Sequence, residues 1–240
     1  FLFKRSVKNA DVLLTVSEYS KQKIAENYRL SEQNIFVTTN AILDDSNYVD
    51  TDIKKKYELE KYILYVSRIE PRKNHISLLK AYTELELWKQ GYKLVFIGVE
   101  DIVSIELNKY KKANEQLLKN NVIWLEGIIY NELKAFYKAC DLFVFPSIAE
   151  GFGIPPLEAI SMSRKVICSR ATAMKDFELP ESLTFNPYDL KELKHKIKYA
   201  LETDLSDEIS KIKAKFQTKY NWTSVAKYFY QVISKEMKGE

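Results

Sequence analysis

Two glutamates, Glu150 and Glu158, stand eight positions apart around Gly151-Phe152-Gly153-Ile154-Pro155-Pro156-Leu157. The two glycines permit positive φ and let backbone N–H groups approach a ligand, and the prolines suit the first positions of a helix. A helix rises about 1.5 Å per residue, so both carboxylates could face one cleft. An exposed helix carboxylate is the plainer reading of Glu158, but Leu157, Ala159 and Ile160 set it in an apolar segment. A second cluster, Ser67-Arg68-Ile69-Glu70-Pro71-Arg72-Lys73-Asn74, places three cations just before a helix-like stretch. Unpaired N–H groups at a helix start and full positive charges beside them favour an anion such as phosphate. A solvated basic loop carries the same charge. Gly98 and Gly127 each follow an apolar run, where a flat ligand could lie against backbone or the chain simply turn.

Other chemistries lack their residues. There is no GxGxxG after the first strand, no GxxxxGK[ST], no GxSxG and no HExxH, which speaks against several nucleotide-binding, kinase-like and hydrolase readings. Cys140 and Cys168 stand apart without a CxxC, which fits buried thiols in a reducing compartment and no metal site. His75 and His195 fall in helix-like segments as structural or solvent-facing residues.

The elements that must position these residues follow from periodicity. Short apolar runs at 12–16, 35–38, 62–66, 93–98, 122–124, 142–146, 166–168 and 183–185 alternate with helical patterns at 17–27, 74–89, 105–119, 131–140, 155–163, 189–202, 206–219 and 223–238. Asn74 and Asn131 stand where N-caps belong. Strands that are apolar throughout and separated by helices read as a parallel sheet covered on both faces. The fold class is therefore α/β, a doubly wound, Rossmann-like parallel sheet, with an incomplete second domain at the amino terminus. Residues 1–44 form the tail of that domain, 45–60 a polar linker, 61–220 the main domain, and 221–240 a closing helix that packs across domains or into the main core. Strands 12–16 and 35–38 have no evident sheet neighbours and are expected to pair with another chain or leave an open edge.

The 240 residues are 46% hydrophobic and 29% charged, enough apolar matter for a sizeable core. Thirty-seven Lys and Arg against 33 Asp and Glu give +4 spread along the chain, which excludes a dedicated nucleic-acid binder. No apolar run reaches the roughly 18 residues of a transmembrane helix. The chain opens on Phe1 without a signal-peptide pattern, and the expectation is a start inside a longer protein.

Taken in order, these residues resemble the carboxyl-terminal, donor-binding half of retaining GT-B glycosyltransferases of the two-glutamate (EGFGxPxxE) group. Tyr65 to Asn74 with Leu78, Leu79 and Ala81 is similar to that family's basic loop. Glu126-Gly127 through Leu133, Tyr137, Ala139 and Asp141 is similar to its next segment, and Phe145-Pro146-Ser147 into Glu150 and Glu158 to its signature. Asn221-Trp222-Thr223 is similar to its closing segment. Ser163 and Lys165 depart from a frequent Gly and Pro, and Asn40-Ala41 from a usual Asn-Gly.

The resemblance implies that Arg68 and Lys73 clamp the donor diphosphate and that Glu150 lies by the donor sugar, these three forming the catalytic set. It implies that Glu158 accepts hydrogen bonds from ribose hydroxyls, that Gly151, Phe152, Gly153, Ile154 and Leu157 line the donor, and that Gly127 and Ile128 meet the base. No cofactor or metal is implied; the donor is a UDP- or GDP-linked sugar, transferred with retention to a glycan or lipid-linked acceptor in surface polysaccharide synthesis. The expected partners are these substrates and an N-terminal domain or partner chain; the expected place is the cytoplasm, with a peripheral contact at the inner face of the membrane. The alternatives are a noncatalytic nucleotide-sugar-binding subunit or fragment that needs a separate acceptor domain, and a GT-B-shaped epimerase or phosphorylase.

Overall fold

The computed structural model describes residues 2–42 and 51–238. At the amino terminus, α1 (Leu2–Asn9), β1 (Leu13–Thr15), α2 (Glu18–Tyr28) and β2 (Ile35–Val37) form a small unit. The helix α2 begins where the sequence supplies a cap: Ser20 N donates to Ser17 Oγ at 3.1 Å, satisfying one of the helix's orphan donors. Arg29 ends it in the left-handed region at φ 55°. The expectation that these two strands lack sheet neighbours is corrected. They pair with one another in parallel, Leu13 opposite Ile35 and Thr15 opposite Val37, as a sheet separate from the main one.

The first part of the expected linker lies outside the described residues. The remainder is folded: α3 (Ile53–Lys56) is capped by Asp52, whose Oδ1 accepts from Lys55 N at 3.0 Å, and Ile53 and Leu59 are buried in the main core. Isolated anchors of this kind leave no periodic trace in a run rich in lysine.

Six strands then build the main sheet: β3 (Lys61–Val66), β4 (Tyr92–Ile97), β5 (Val122–Leu125), β6 (Leu142–Phe145), β7 (Val166–Ser169) and β8 (Thr184–Phe185). All pairs are parallel, in the spatial order β5-β4-β3-β6-β7-β8. Every residue of β6 and β7 is buried, as strands covered on both faces require. The connections carry α4 (His75–Glu84), α5 (Ile105–Ala113), α6 (Glu115–Asn121), α7 (Tyr130–Ala139), α8 (Ile154–Ser161) and α9 (Leu190–Glu202), followed by α10 (Ser206–Lys219) and α11 (Trp222–Lys238). This is the expected doubly wound fold.

Three helix expectations differ from the structure for local reasons. The helix expected over 74–89 ends at Glu84, because Glu86 turns left-handed at φ 51° and residues 87–90 form a short tight turn that returns the chain to β4. The one expected over 105–119 breaks at Asn114, whose Nδ2 donates to Tyr110 O at 2.9 Å and so competes with the helix for that carbonyl. Asn131 lies inside α7 rather than capping it; Ile129 holds the cap position and makes no side-chain cap bond.

The closing helix stands apart from the main core. Val232 is buried, but like Val7, Ala25, Ile35 and Ala41 it lies outside the cluster formed by the six-stranded domain, and Trp222, Tyr228, Phe229 and Tyr230 are exposed. Just before this helix the two units meet: Ile42 N donates to Tyr220 O at 2.9 Å.

The sheet order reverses between β3 and β6, because β4 and β5 extend to one side and β7 and β8 to the other. Ligands of such sheets bind outside the carboxyl ends of the strands at that reversal. The loops that leave those two strand ends are residues 67–74 and 146–153, the two segments the sequence singles out.

Candidate functional site

The two loops are stitched to each other. Ile148 N donates to Arg72 O at 2.8 Å, and Ser147 Oγ donates to the same carbonyl at 3.3 Å. Asn74, left-handed at φ 58°, makes no cap bond; its Nδ2 instead donates to Pro146 O at 3.2 Å and Pro187 O at 3.0 Å. Tyr65 Oη donates to Lys73 O at 2.7 Å from a fully buried ring. The backbone around Lys73 is thereby fixed from three strands' ends.

Lys73 Nζ donates to Glu150 Oε1, and Arg72 Nη1 donates to Glu150 Oε2 at 3.3 Å and to Ala149 O at 2.7 Å. The Lys73 and Glu150 side chains are 12% and 10% exposed; a carboxylate so far from water is tolerated because it is paired. Arg72 Nη2 also lies 2.6 Å from Glu70 Oε1, close enough for an ion pair though not aligned as a hydrogen bond. Glu150 N donates to Thr172 Oγ1 at 2.9 Å. Thr172 is a β-branched residue held at φ 49°, a conformation that costs about 1–3 kcal/mol and persists where surroundings enforce it.

Arg68 goes elsewhere. Its Nη1 donates to Asp101 Oδ2 at 2.9 Å, in a pair whose side chains are 64% and 46% exposed. The expectation that Arg68 and Lys73 act as one clamp finds Lys73 sharing its carboxylate with Arg72, and Arg68 on a contact worth no more than about 1 kcal/mol, easily surrendered to a ligand. Beside it, Gly98 is required: at φ 153° a Cβ there would lie 2.0 Å from Ser67 O.

Of the loop glycines, only Gly153 uses positive φ, at 102°; its missing Cβ would meet Met174 Cε at 2.6 Å. Gly151 does not, which corrects the expectation for it. It is exposed, and Ser20 Oγ of α2 donates to its carbonyl at 3.4 Å. The amino-terminal unit touches the site again where Tyr19 N donates to Asp176 Oδ2 at 3.1 Å. Phe152 is buried edge-on between Phe177 and Tyr220, each 5.6 Å away, so its backbone, not its ring, is what a ligand could meet. Leu157 is likewise a core residue, whereas Ile154 is exposed.

Glu158, half-buried in α8, accepts from Tyr137 Oη at 2.8 Å. Gly127, at φ 66° with open space where a Cβ would be, follows the edge strand β5, and Ile128 is half-buried beside it. Behind Lys73, His75 packs against Tyr65, Phe96 and Trp124, and neither ring nitrogen has a hydrogen-bond partner among the described residues. Burial, helped by the Lys73 and Lys111 charges, pushes its pKa down to about 3, so the ring is neutral. His195 is exposed. Both cysteine thiols are buried, and burial raises that of Cys140 to about 12.

Thr172 and Asp101 are the residues that sequence reading missed. Neither carries a local signal: each meets its partner through the fold, from a loop after a different strand.

The parallel six-stranded sheet with helices on both faces is the fold of GT-B glycosyltransferase structures. Residues 49–217 match the family of glycosyl transferases group 1, and the chain belongs to that family. It is 33% identical to the O-antigen chain mannosyltransferase RfbU of Salmonella typhimurium over 82% of this chain and 53% of that protein. It is 31% identical to O-antigen chain mannosyltransferase B of Escherichia coli over 90% of this chain and 58% of that one. The chain thus spans somewhat more than half the length of these relatives. In fold it is similar to a glycosyltransferase from Rickettsia africae (TM-score 0.82, 22% identity, 100% of this chain and 68% of that one). It is similar also to Anabaena HepE in complex with UDP and glucose (TM-score 0.79, 17% identity, 95% and 64%). Among the described residues no helix is long and apolar enough to cross a membrane.

Proposed function

We propose that this chain carries the nucleotide-sugar site of a retaining hexosyltransferase that assembles surface polysaccharide. The observation that carries the reading is the meeting of Lys73, Arg72 and Glu150 where the loops after β3 and β6 are stitched at the sheet reversal. A diphosphate binding there takes Lys73 and Arg72 from Glu150 and Arg68 from Asp101. Glu150, released, turns to the sugar hydroxyls, and Glu158 receives the ribose. As the bond from the anomeric carbon to the phosphate oxygen breaks, its electron pair passes to the leaving nucleoside diphosphate, and the cations offset that charge. The acceptor hydroxyl forms the new bond on the same face and gives its proton to the leaving phosphate oxygen. The backbone at Gly153 and Ile154 holds the sugar, and Gly127 and Ile128 border the base.

The O-antigen mannosyltransferases among the relatives make mannose the first sugar to test. The experiment is to supply GDP- and UDP-linked hexoses with a lipid-linked glycan acceptor, and to follow nucleotide release and the anomeric coupling of the product by NMR. Transfer with the donor's configuration is expected. Inversion would overturn the retaining assignment. Donor binding without transfer would select the second reading, a noncatalytic module that needs a separate acceptor domain.

A further inference from the structure

We propose that Tyr137 is a positioning residue, which aims the Glu158 carboxylate so that it receives the ribose diol of the donor; this rests on the donor-site reading above. The hydroxyl reaches Glu158 Oε2 at 2.8 Å from the last turns of α7, while Glu158 stands on the next helix, α8. The tyrosine is 1% exposed and its ring packs 5.4 Å from Phe143 of β6. At the preceding residue the backbone of α7 is pinned as well, since Tyr62 Oη donates to Phe136 O at 2.6 Å. The donor therefore cannot follow a wandering carboxylate; it fixes one.

The chemistry of the pair suits that task. A glutamate side chain has three rotatable bonds, and holding it in one orientation before the ligand arrives removes an ordering cost from binding. Each carboxylate oxygen has two acceptor sites, so Oε2 can keep the tyrosine and still receive a ribose hydroxyl. Burial, reinforced by the Glu158 charge, raises the Tyr137 pKa well above the ordinary tyrosine value, so it remains a proton donor throughout the working range.

The test measures calorimetric affinities of the 240-residue chain for UDP, GDP and ADP, and then for the 2′-deoxy and 3′-deoxy forms of whichever binds. The variants are Tyr137→Phe, Glu158→Ala and the double. Tyr137→Phe is expected to weaken the ribonucleotide about tenfold, the worth of a hydrogen bond to a charged group. It is expected to shrink the penalty for the deoxy forms, and to change nothing further once Glu158 is alanine. Replacing Tyr137 with p-aminophenylalanine, which also donates at that position, is expected to restore both affinity and ribose selectivity. Equal weakening by Tyr137→Phe in the presence and absence of Glu158 would show a merely structural tyrosine and overturn the proposal. So would unchanged affinity in Tyr137→Phe, or failure of the amino analogue to restore selectivity. If no nucleotide binds, or if Glu158→Ala leaves binding and ribose selectivity intact, it is the donor-site reading itself that fails.

Discussion

Glu150 and Glu158 are the same residue type on one short loop-and-helix segment, yet the fold treats them oppositely. Glu150 is held by two cations, Lys73 and Arg72, whereas Glu158 accepts a hydrogen bond from the buried Tyr137 hydroxyl. In the proposed site the first carboxylate occupies the charges a diphosphate would need, and the second receives the ribose. On the proposed reading, two acids that look equivalent in sequence become a counterion that leaves and an acceptor that stays. The difference comes from what the neighbouring elements present, the β3 loop in one case and the buried face of α7 in the other.

The strongest way to break this comparison is at Lys73. Lys73→Ala should weaken nucleoside diphosphate binding by more than 100-fold, about 3 kcal/mol, the range for a desolvated charge-assisted contact. It should also lower the melting temperature, because Glu150 is left buried with Arg72 alone. Adding Glu150→Gln should restore the melting temperature and not the affinity. Recovery of both would mean that Lys73 serves the fold and not the ligand.

The cation side also leans on a neutral histidine, which has a pH signature. His75 has a folded-state pKa of about 3, below the roughly 6.5 of an unfolded histidine. The unfolded chain therefore binds the proton first, and stability falls as pH drops below about 6.5 and continues to fall toward the folded value. By pH 4.5 the expected loss is roughly 2–3 kcal/mol, at about 1.4 kcal/mol per pH unit. His75→Phe, which keeps an aromatic ring against Tyr65 and Phe96, should flatten the denaturation midpoint between pH 6.5 and 4.5; an unchanged slope would refute the buried neutral ring.

A smaller effect concerns the loop joining the two glutamates. Gly153→Ala sets a Cβ at φ 102° and 2.6 Å from the end of Met174. The methionine can yield, the backbone cannot, and a destabilisation of about 1–2 kcal/mol is expected. Thermal unfolding should register this as a fall of several degrees, and an unshifted midpoint would mean the loop can relax.

The sheet was legible because buried parallel strands leave continuous apolar runs, as Leu142 to Phe145 and Val166 to Ser169 do. The two site loops were legible because glycines, prolines and cations lie adjacent in the chain. What local spacing does not carry is partnership. Arg68 finds Asp101 across 33 positions, and Glu150 finds Thr172 across 22; both pairs exist because strand order brings loops together. The break at Asn114 was hidden for another reason: the apolar pattern continues through it, and a side-chain bond to Tyr110 O decides against the helix. The buried anchors Ile53 and Leu59 were masked by the charged run around them.

The most direct measurement is calorimetry of UDP, GDP and ADP against the wild-type chain, Glu150→Gln and Glu158→Ala. One nucleotide should bind; Glu150→Gln should tighten it a few-fold by freeing Lys73 and Arg72, and Glu158→Ala should weaken it about tenfold. Changes of the same sign in both variants, or no binding by any of the three, would contradict the division of roles between the two carboxylates.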